Sequence, residues 1–166
     1  MSNRSGQTTI GKNDFLVSKT DLKGRITYCN RIFMKVAGYS EAELLGKPHN
    51  IVRHPDMPRI VFKLLWDRIQ NGKEIFAFVK NKTKNGGFYW VCANVTPSVD
   101  DRGSIIGYYS VRRKVNDSAL PVVEDLYSRL LQEERSGGMD ASKRYLDNLL
   151  KEKGVSYDEF ISSLQQ

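Results

Sequence analysis

Apolar and polar side chains alternate in DFLVSKT, from Asp14, and again in GRITYCN, which ends at Asn30. A period of two marks half-buried strands, and Asp21-Leu22-Lys23-Gly24 between them has the residue types of a tight connection, so the pattern predicts an opening hairpin. The period then changes. Asn30 suits a helix N-cap, Ile32, Phe33, Val36 and Ala37 share one helical face, and Gly38 stops the run. Ser40 followed by Glu43 is a capping-box pair ahead of Leu44 and Leu45, and Gly46-Lys47-Pro48 breaks the chain again. Pro55 and Pro58 each disfavour a helical residue before them. Beyond them Ile60, Val61, Leu64, Leu65 and Ile69 form an apolar stripe, which predicts a longer helix over about 58–71 with Gly72 as its stop.

Residues 73–113 return to period two in EIFAFVKNKT, FYWVCANVTPSV and SIIGYYSVRRKV, separated by Lys84-Asn85-Gly86-Gly87 and Asp100-Asp101-Arg102-Gly103. Three strands joined by hairpin turns follow from that spacing. Two strands, several short helices and three strands make an α+β fold: a five-stranded antiparallel sheet with short helices on one face. From Ser118 the period is helical again, with Pro121 in a first turn and Val122, Val123, Leu126, Tyr127, Leu130 and Leu131 on one stripe. Ser136-Gly137-Gly138 predicts a stop. A second helix carries Tyr145, Leu146, Leu149 and Leu150, and a third, capped by Ser156 with Glu159, carries Phe160, Ile161 and Leu164. The expected organisation is a flexible leader at 1–13, a domain at 14–114, and a C-terminal helical module at 118–166.

Composition narrows the function. The 166 residues suffice for one well-cored domain with an appendage, and no window approaches the roughly 18 apolar residues of a spanning helix, so any membrane association is expected through a partner. The formal charge of +7 invites a nucleic-acid reading, but it is uneven: residues 1–113 carry 19 basic and 9 acidic side chains, residues 114–166 carry 7 and 10. The last helix, SYDEFISSLQQ, has two acidic and no basic side chains and would repel phosphate, so nucleic acid is not expected as a partner. Cys29 and Cys92 fit neither a disulfide framework nor a zinc spacing, and a reducing cytoplasm is the simplest home. The chain has no GxGxxG loop, P-loop, CxxC pair or GxSxG elbow, and catalysis is not expected.

The densest chemistry lies in Pro48 to Pro58, PHNIVRHPDMP, which holds both histidines, His49 and His54. Taken alone, His54 either caps a turn or contacts a ligand, Asp56 either caps the next helix or does the same, and Trp66 packs in the core or against a ring. Arg112 and Arg113 read as a solvated strand end or, with Lys80, Lys82 and Lys84, as a docking face for an acidic partner or membrane surface.

The string RHPDMP, followed by Trp66, VKNKTKNGGFYWVCANVTP and GYYSVRR, resembles the PAS domain of the Aer-type bacterial energy-taxis receptors, over about residues 14–114. The resemblance implies a PAS fold holding FAD and reporting its redox state to the chemotaxis kinase. It implies flavin contacts at Arg53, His54, Asp56 and Asn81, with His49, Asn50, Asn30 and Trp66 as further cofactor-binding residues. Where the family has a tryptophan just ahead of its VKN, this chain has Ile75, with Phe76 alongside. Membrane anchor and signalling coiled coil are missing from the sequence, so the resemblance points to stand-alone, CetB-like sensors working with a separate membrane-bound chemoreceptor or transducer, either as a homodimer or as a one-to-one complex. The chemistry agrees: Arg53 offers a charged fork for a pyrophosphate, and Asn81 can both donate and accept at a ring edge. Haem with His49 or His54 as axial ligand is the alternative cofactor, and a PAS interaction module without cofactor the alternative function.

Overall fold

The computed structural model describes residues 6–166. Strands form where the period-two stretches predict them: β1 Leu16–Thr20, β2 Ile26–Cys29, β3 Ile75–Lys82, β4 Phe88–Val99 and β5 Ile105–Lys114. All pair antiparallel, in the order β2-β1-β5-β4-β3. The first hairpin therefore joins the last three strands through β1 and β5, with Ser18 opposite Ser110 and Leu16 opposite Arg112.

Between β2 and β3 the chain crosses one sheet face as α1 Arg31–Ala37, α2 Glu41–Leu44, a 3-10 turn His49–Val52 and α3 Arg59–Gln70. The caps are those the sequence names: the Asn30 side chain accepts from the Phe33 amide at 3.0 Å, and Ser40 and Glu43 close a reciprocal capping box. α3 has no such local cap, because Pro58 precedes it. Its first amides, Arg59 N and Ile60 N, instead donate to Glu134 at 2.9 and 3.1 Å, from a helix more than seventy residues further on.

That helix belongs to the C-terminal segment, α4 Leu120–Lys153 and α5 Tyr157–Leu164. Gly138 lies within α4 at φ 72, ψ −168, a conformation closed to residues with a side chain, so the predicted stop is there and a second helix follows it directly. The segment packs against the sheet. Phe78, Trp90 and Cys92 point from β3 and β4 to the outer sheet face, and Val123, Leu126, Tyr127, Leu130, Phe160 and Ile161 bury them in a core continuous with that of the sheet. Each such large side chain contributes about 1.5–3 kcal/mol on burial, which a free helical appendage would forgo.

β3 is an edge strand, and its edge is covered along its length. Tyr157 and Tyr127 donate their hydroxyls to the carbonyls of Phe76 at 2.9 Å and Phe78 at 2.5 Å. Lys80 N donates to the Met57 sulfur at 3.2 Å, and Asn81 makes a backbone bridge to Arg53. The expected leader is in part attached as well: residues 1–5 lie outside the described residues, but Thr8 N donates to Phe88 O at 2.8 Å and Ile10 is buried.

Candidate cofactor-binding site

The inner sheet face, opposite α4, carries small and polar residues in register: Ser18 on β1, Ser110 and Arg112 on β5, Ala93 and Val95 on β4, Val79 and Asn81 on β3. Against it stand the 3-10 turn and α3, which bring His49, Asn50, Arg53 and Trp66. They enclose a cavity of about 330 Å³ with a mainly apolar wall. Gly24 is part of that wall: it sits at φ +81, and a Cβ there would come within 3.2 Å of the Trp66 ring. Trp66 in turn stands edge-on to Tyr108, with centroids 5.6 Å apart.

Arg112 dominates the electrostatics. It is 2% exposed, and its Nη1 donates to His49 Nε2 at 2.9 Å and to Ser110 Oγ at 3.3 Å. Its Nε and Nη2 have no protein partner, the only such buried side-chain atoms among the described residues. Burial lowers the Arg112 pKa to about 10, which leaves it charged at neutral pH. Burial, then the neighbouring Arg112 charge, lowers the pKa of His49 to about 3, so His49 is neutral. A guanidinium only donates, so Nε2 accepts and the ring proton resides on Nδ1. The Phe33 ring lies 4.4 Å from the Arg112 guanidinium and 5.8 Å from the His49 ring. A buried cation with two unmet donors is costly unless a ligand supplies acceptors.

At the other side Asn81, 4% exposed, donates from Nδ2 to the Tyr89 hydroxyl at 3.3 Å. Arg53 lays its guanidinium over Phe62, 4.0 Å from the ring centroid.

Five sequence candidates thus meet at one cavity: His49, Asn50, Arg53, Trp66 and Asn81. His54 stands just outside, in a second depression that shares Asn50 and Arg53 with the first, and its Nδ1 accepts from Asp56 N at 3.0 Å. Burial and the nearby Lys80 charge lower its pKa. Asp56 and Asn30 are not in the cavity wall. The Asp56 side chain is 58% exposed and binds Lys80 Nζ at 2.9 Å, a bond that holds its carboxyl below the usual range. The Asn30 carboxamide is occupied by Val17 N, Phe33 N and Phe15 O. Both have a ligand's residue type but use their hydrogen bonds on the fold. Ile75 is buried beside the cavity, whose β3 wall is Val79 and Asn81, and Phe76 points to the opposite face.

Arg112 is the residue that sequence reasoning misplaced. It is neither a solvated strand end nor part of a basic docking face; Arg113, its neighbour, is exposed. Of the other residues of that expected face, Lys80 is bonded to Asp56 and lies 4.6 Å over Phe88, and Lys84 pairs with Glu43 at 2.6 Å. The signal that finds Arg112 is the alternation in GYYSVRR, which places Tyr108, Ser110 and Arg112 on one face. Among the described residues no cluster of His, Cys, Asp and Glu could hold a metal ion, and no helix is long and apolar enough to cross a membrane.

The chain is 44% identical to the aerotaxis receptor of Escherichia coli over 123 residues, 74% of this chain and 24% of the receptor. It is 26% identical to the nitrogen fixation regulatory protein of Klebsiella pneumoniae, over 67% of this chain and 22% of that protein. It therefore spans about a quarter of the curated relatives it matches. Among solved structures, a light-oxygen-voltage domain superposes with a TM-score of 0.58 at 19% identity, covering 73% of this chain and 87% of its own, and a PAS domain from Colwellia psychrerythraea with 0.56 at 20%, covering 61% and 86%. The family model described as the PAS fold matches residues 12–115. From the β2-β1-β5-β4-β3 sheet, the cavity beneath it and these matches, the chain belongs to the PAS family of sensor domains.

Proposed function

We propose that the chain binds FAD non-covalently in the inner cavity and acts as a redox sensor for energy taxis, passing flavin oxidation state to a chemoreceptor-like membrane transducer and so to the chemotaxis kinase. The observation that carries this is the Arg112 guanidinium, buried at the wall of an apolar slot with two donors that have no protein partner. An isoalloxazine is a flat apolar ring with carbonyl and nitrogen acceptors along one edge, so it suits a slot that offers Arg112 and Asn81 as polar partners. The printed names of relatives agree: an aerotaxis receptor, and a light-oxygen-voltage domain studied with a flavin analogue. Cys29 and Cys92 are buried away from the cavity wall, which favours a non-covalent flavin.

The route outward is short. Reduction of a flavin turns its N5 from acceptor to donor, and an amide that can do either responds by reorienting. Asn81 is such an amide, and it sits on the strand whose Phe76 and Phe78 carbonyls are held by Tyr157 and Tyr127 of the C-terminal helices. Haem is the weaker reading, because His49 Nε2 is engaged by Arg112 and His54 Nδ1 by a backbone amide.

The test is an anaerobic dithionite titration of the purified protein followed by absorbance. Flavin bands that bleach on reduction and return with air support the reading. A Soret band selects haem, and a colourless protein that does not take up added FAD refutes the proposal.

A further inference from the structure

Beside the inner cavity opens a second of about 740 Å³, and the two share Asn50 and Arg53. Its other wall includes Leu131, Glu134 and Arg135 of α4, which lie outside residues 12–115 that match the family. Four cations line it, Arg53, Arg59, Lys82 and Arg135, against the single carboxylate of Glu134. That carboxylate is already bonded to Arg59 N, Ile60 N and the Ser142 hydroxyl, so it occupies the N-terminus of α3. Arg59 Nε stands 3.8 Å from it. Among the described residues neither Lys82 nor Arg135 has a carboxylate within ion-pair distance. The cavity therefore presents unneutralised positive charge at the mouth of an apolar slot.

Resting on the flavin reading above, we propose that this outer cavity takes the diphosphate and adenosine half of a dinucleotide, with Arg135 of α4 as a phosphate contact. At about 330 Å³ the inner cavity lies at the low end of the ~300–1,000 Å³ of small-molecule sites, enough for a tricyclic ring but not for a whole dinucleotide. A chain leaving the ring passes the shared wall, where Arg53 meets the first phosphate. Arg135 lines only the outer cavity, so it meets what lies beyond, and Leu131 offers apolar surface to a base. The ligand would then touch the C-terminal helix three residues before its break at Gly138.

The experiment compares riboflavin, FMN and FAD binding to the apoprotein by quenching of flavin fluorescence. Wild type is expected to bind FAD most tightly. Arg135 is exposed, so Arg135→Glu should fold; it is expected to weaken FAD by about tenfold and FMN by less than about twofold, with Arg135→Lys retaining most of the affinity. Equal losses for FAD and FMN, or an unchanged FAD affinity, overturn the proposal while leaving a flavin site in place. Failure of wild type to bind any of the three removes the flavin reading itself and this inference with it.

Discussion

The two faces of β3 and β4 are finished in opposite ways. On the outer face the helices α4 and α5 close over Phe78, leaving about 10 Å³ of space, and the buried Tyr127 hydroxyl there is paired with Phe78 O. On the inner face about 330 Å³ stays open, and Arg112 keeps two buried donors without a partner. A face that packs to completion is there for stability. One that retains both volume and an unmet charge is shaped for a ligand, and a binding site holds that local cost because the ligand offsets it.

Substitutions on the two faces should therefore differ in sign as well as size. The largest expected effect is on the outer face: Phe78→Ala, at a position 1% exposed, should lower unfolding free energy by about 3–5 kcal/mol in chemical denaturation, and a loss below 1 would show that the helices do not pack there. Next, Glu134→Ala leaves the α3 amides and Ser142 without their acceptor and should cost about 2–3 kcal/mol, with Glu134→Gln costing less.

Acid should act through the inner face. The His49 pKa falls from 6.5 to about 3 on folding, so below pH 6.5 the unfolded chain binds a proton that the folded one does not, and stability falls as pH drops toward 3. By about pH 4 the loss should be about 1–3 kcal/mol, and His49→Gln should flatten that part of the profile in thermal melts. The smallest effect has the opposite sign: Arg112→Met, which removes an unpaired buried cation, should leave the apoprotein as stable as wild type or raise it by about 1–2 kcal/mol. Destabilisation by more than that would make Arg112 a structural residue and erase the contrast between the faces.

Much of this was legible in the sequence, for reasons that are local. Asn30, Ser40 with Glu43, and Gly38 mark helix ends through contacts within a few residues, and period-two stretches find all five strands. Of the candidate site, RHPDMP and VKN led to Arg53 and Asn81, whose backbones bridge. What stayed hidden depends on distant partners. Asp56 is drawn out of the site by Lys80, 24 positions away, and Glu134 reaches α3 across 75. The C-terminal stripes could not show that they cover β3 and β4, because a helix pattern names an apolar face without naming what it meets. Arg112 was misread because a charged pair at a strand end is ordinarily solvated, although the alternation with Tyr108 and Ser110 separates it from Arg113.

The central claim is that the inner cavity holds a flavin through Arg112, and the most direct measurement is FAD reconstitution of wild-type and Arg112→Met apoproteins, with thermal melts of both alongside. Stoichiometric uptake by wild type, a loss of at least about tenfold in the variant, and apoprotein melting that is unchanged or raised would agree with the account. An Arg112→Met protein that binds FAD as tightly as wild type would contradict it.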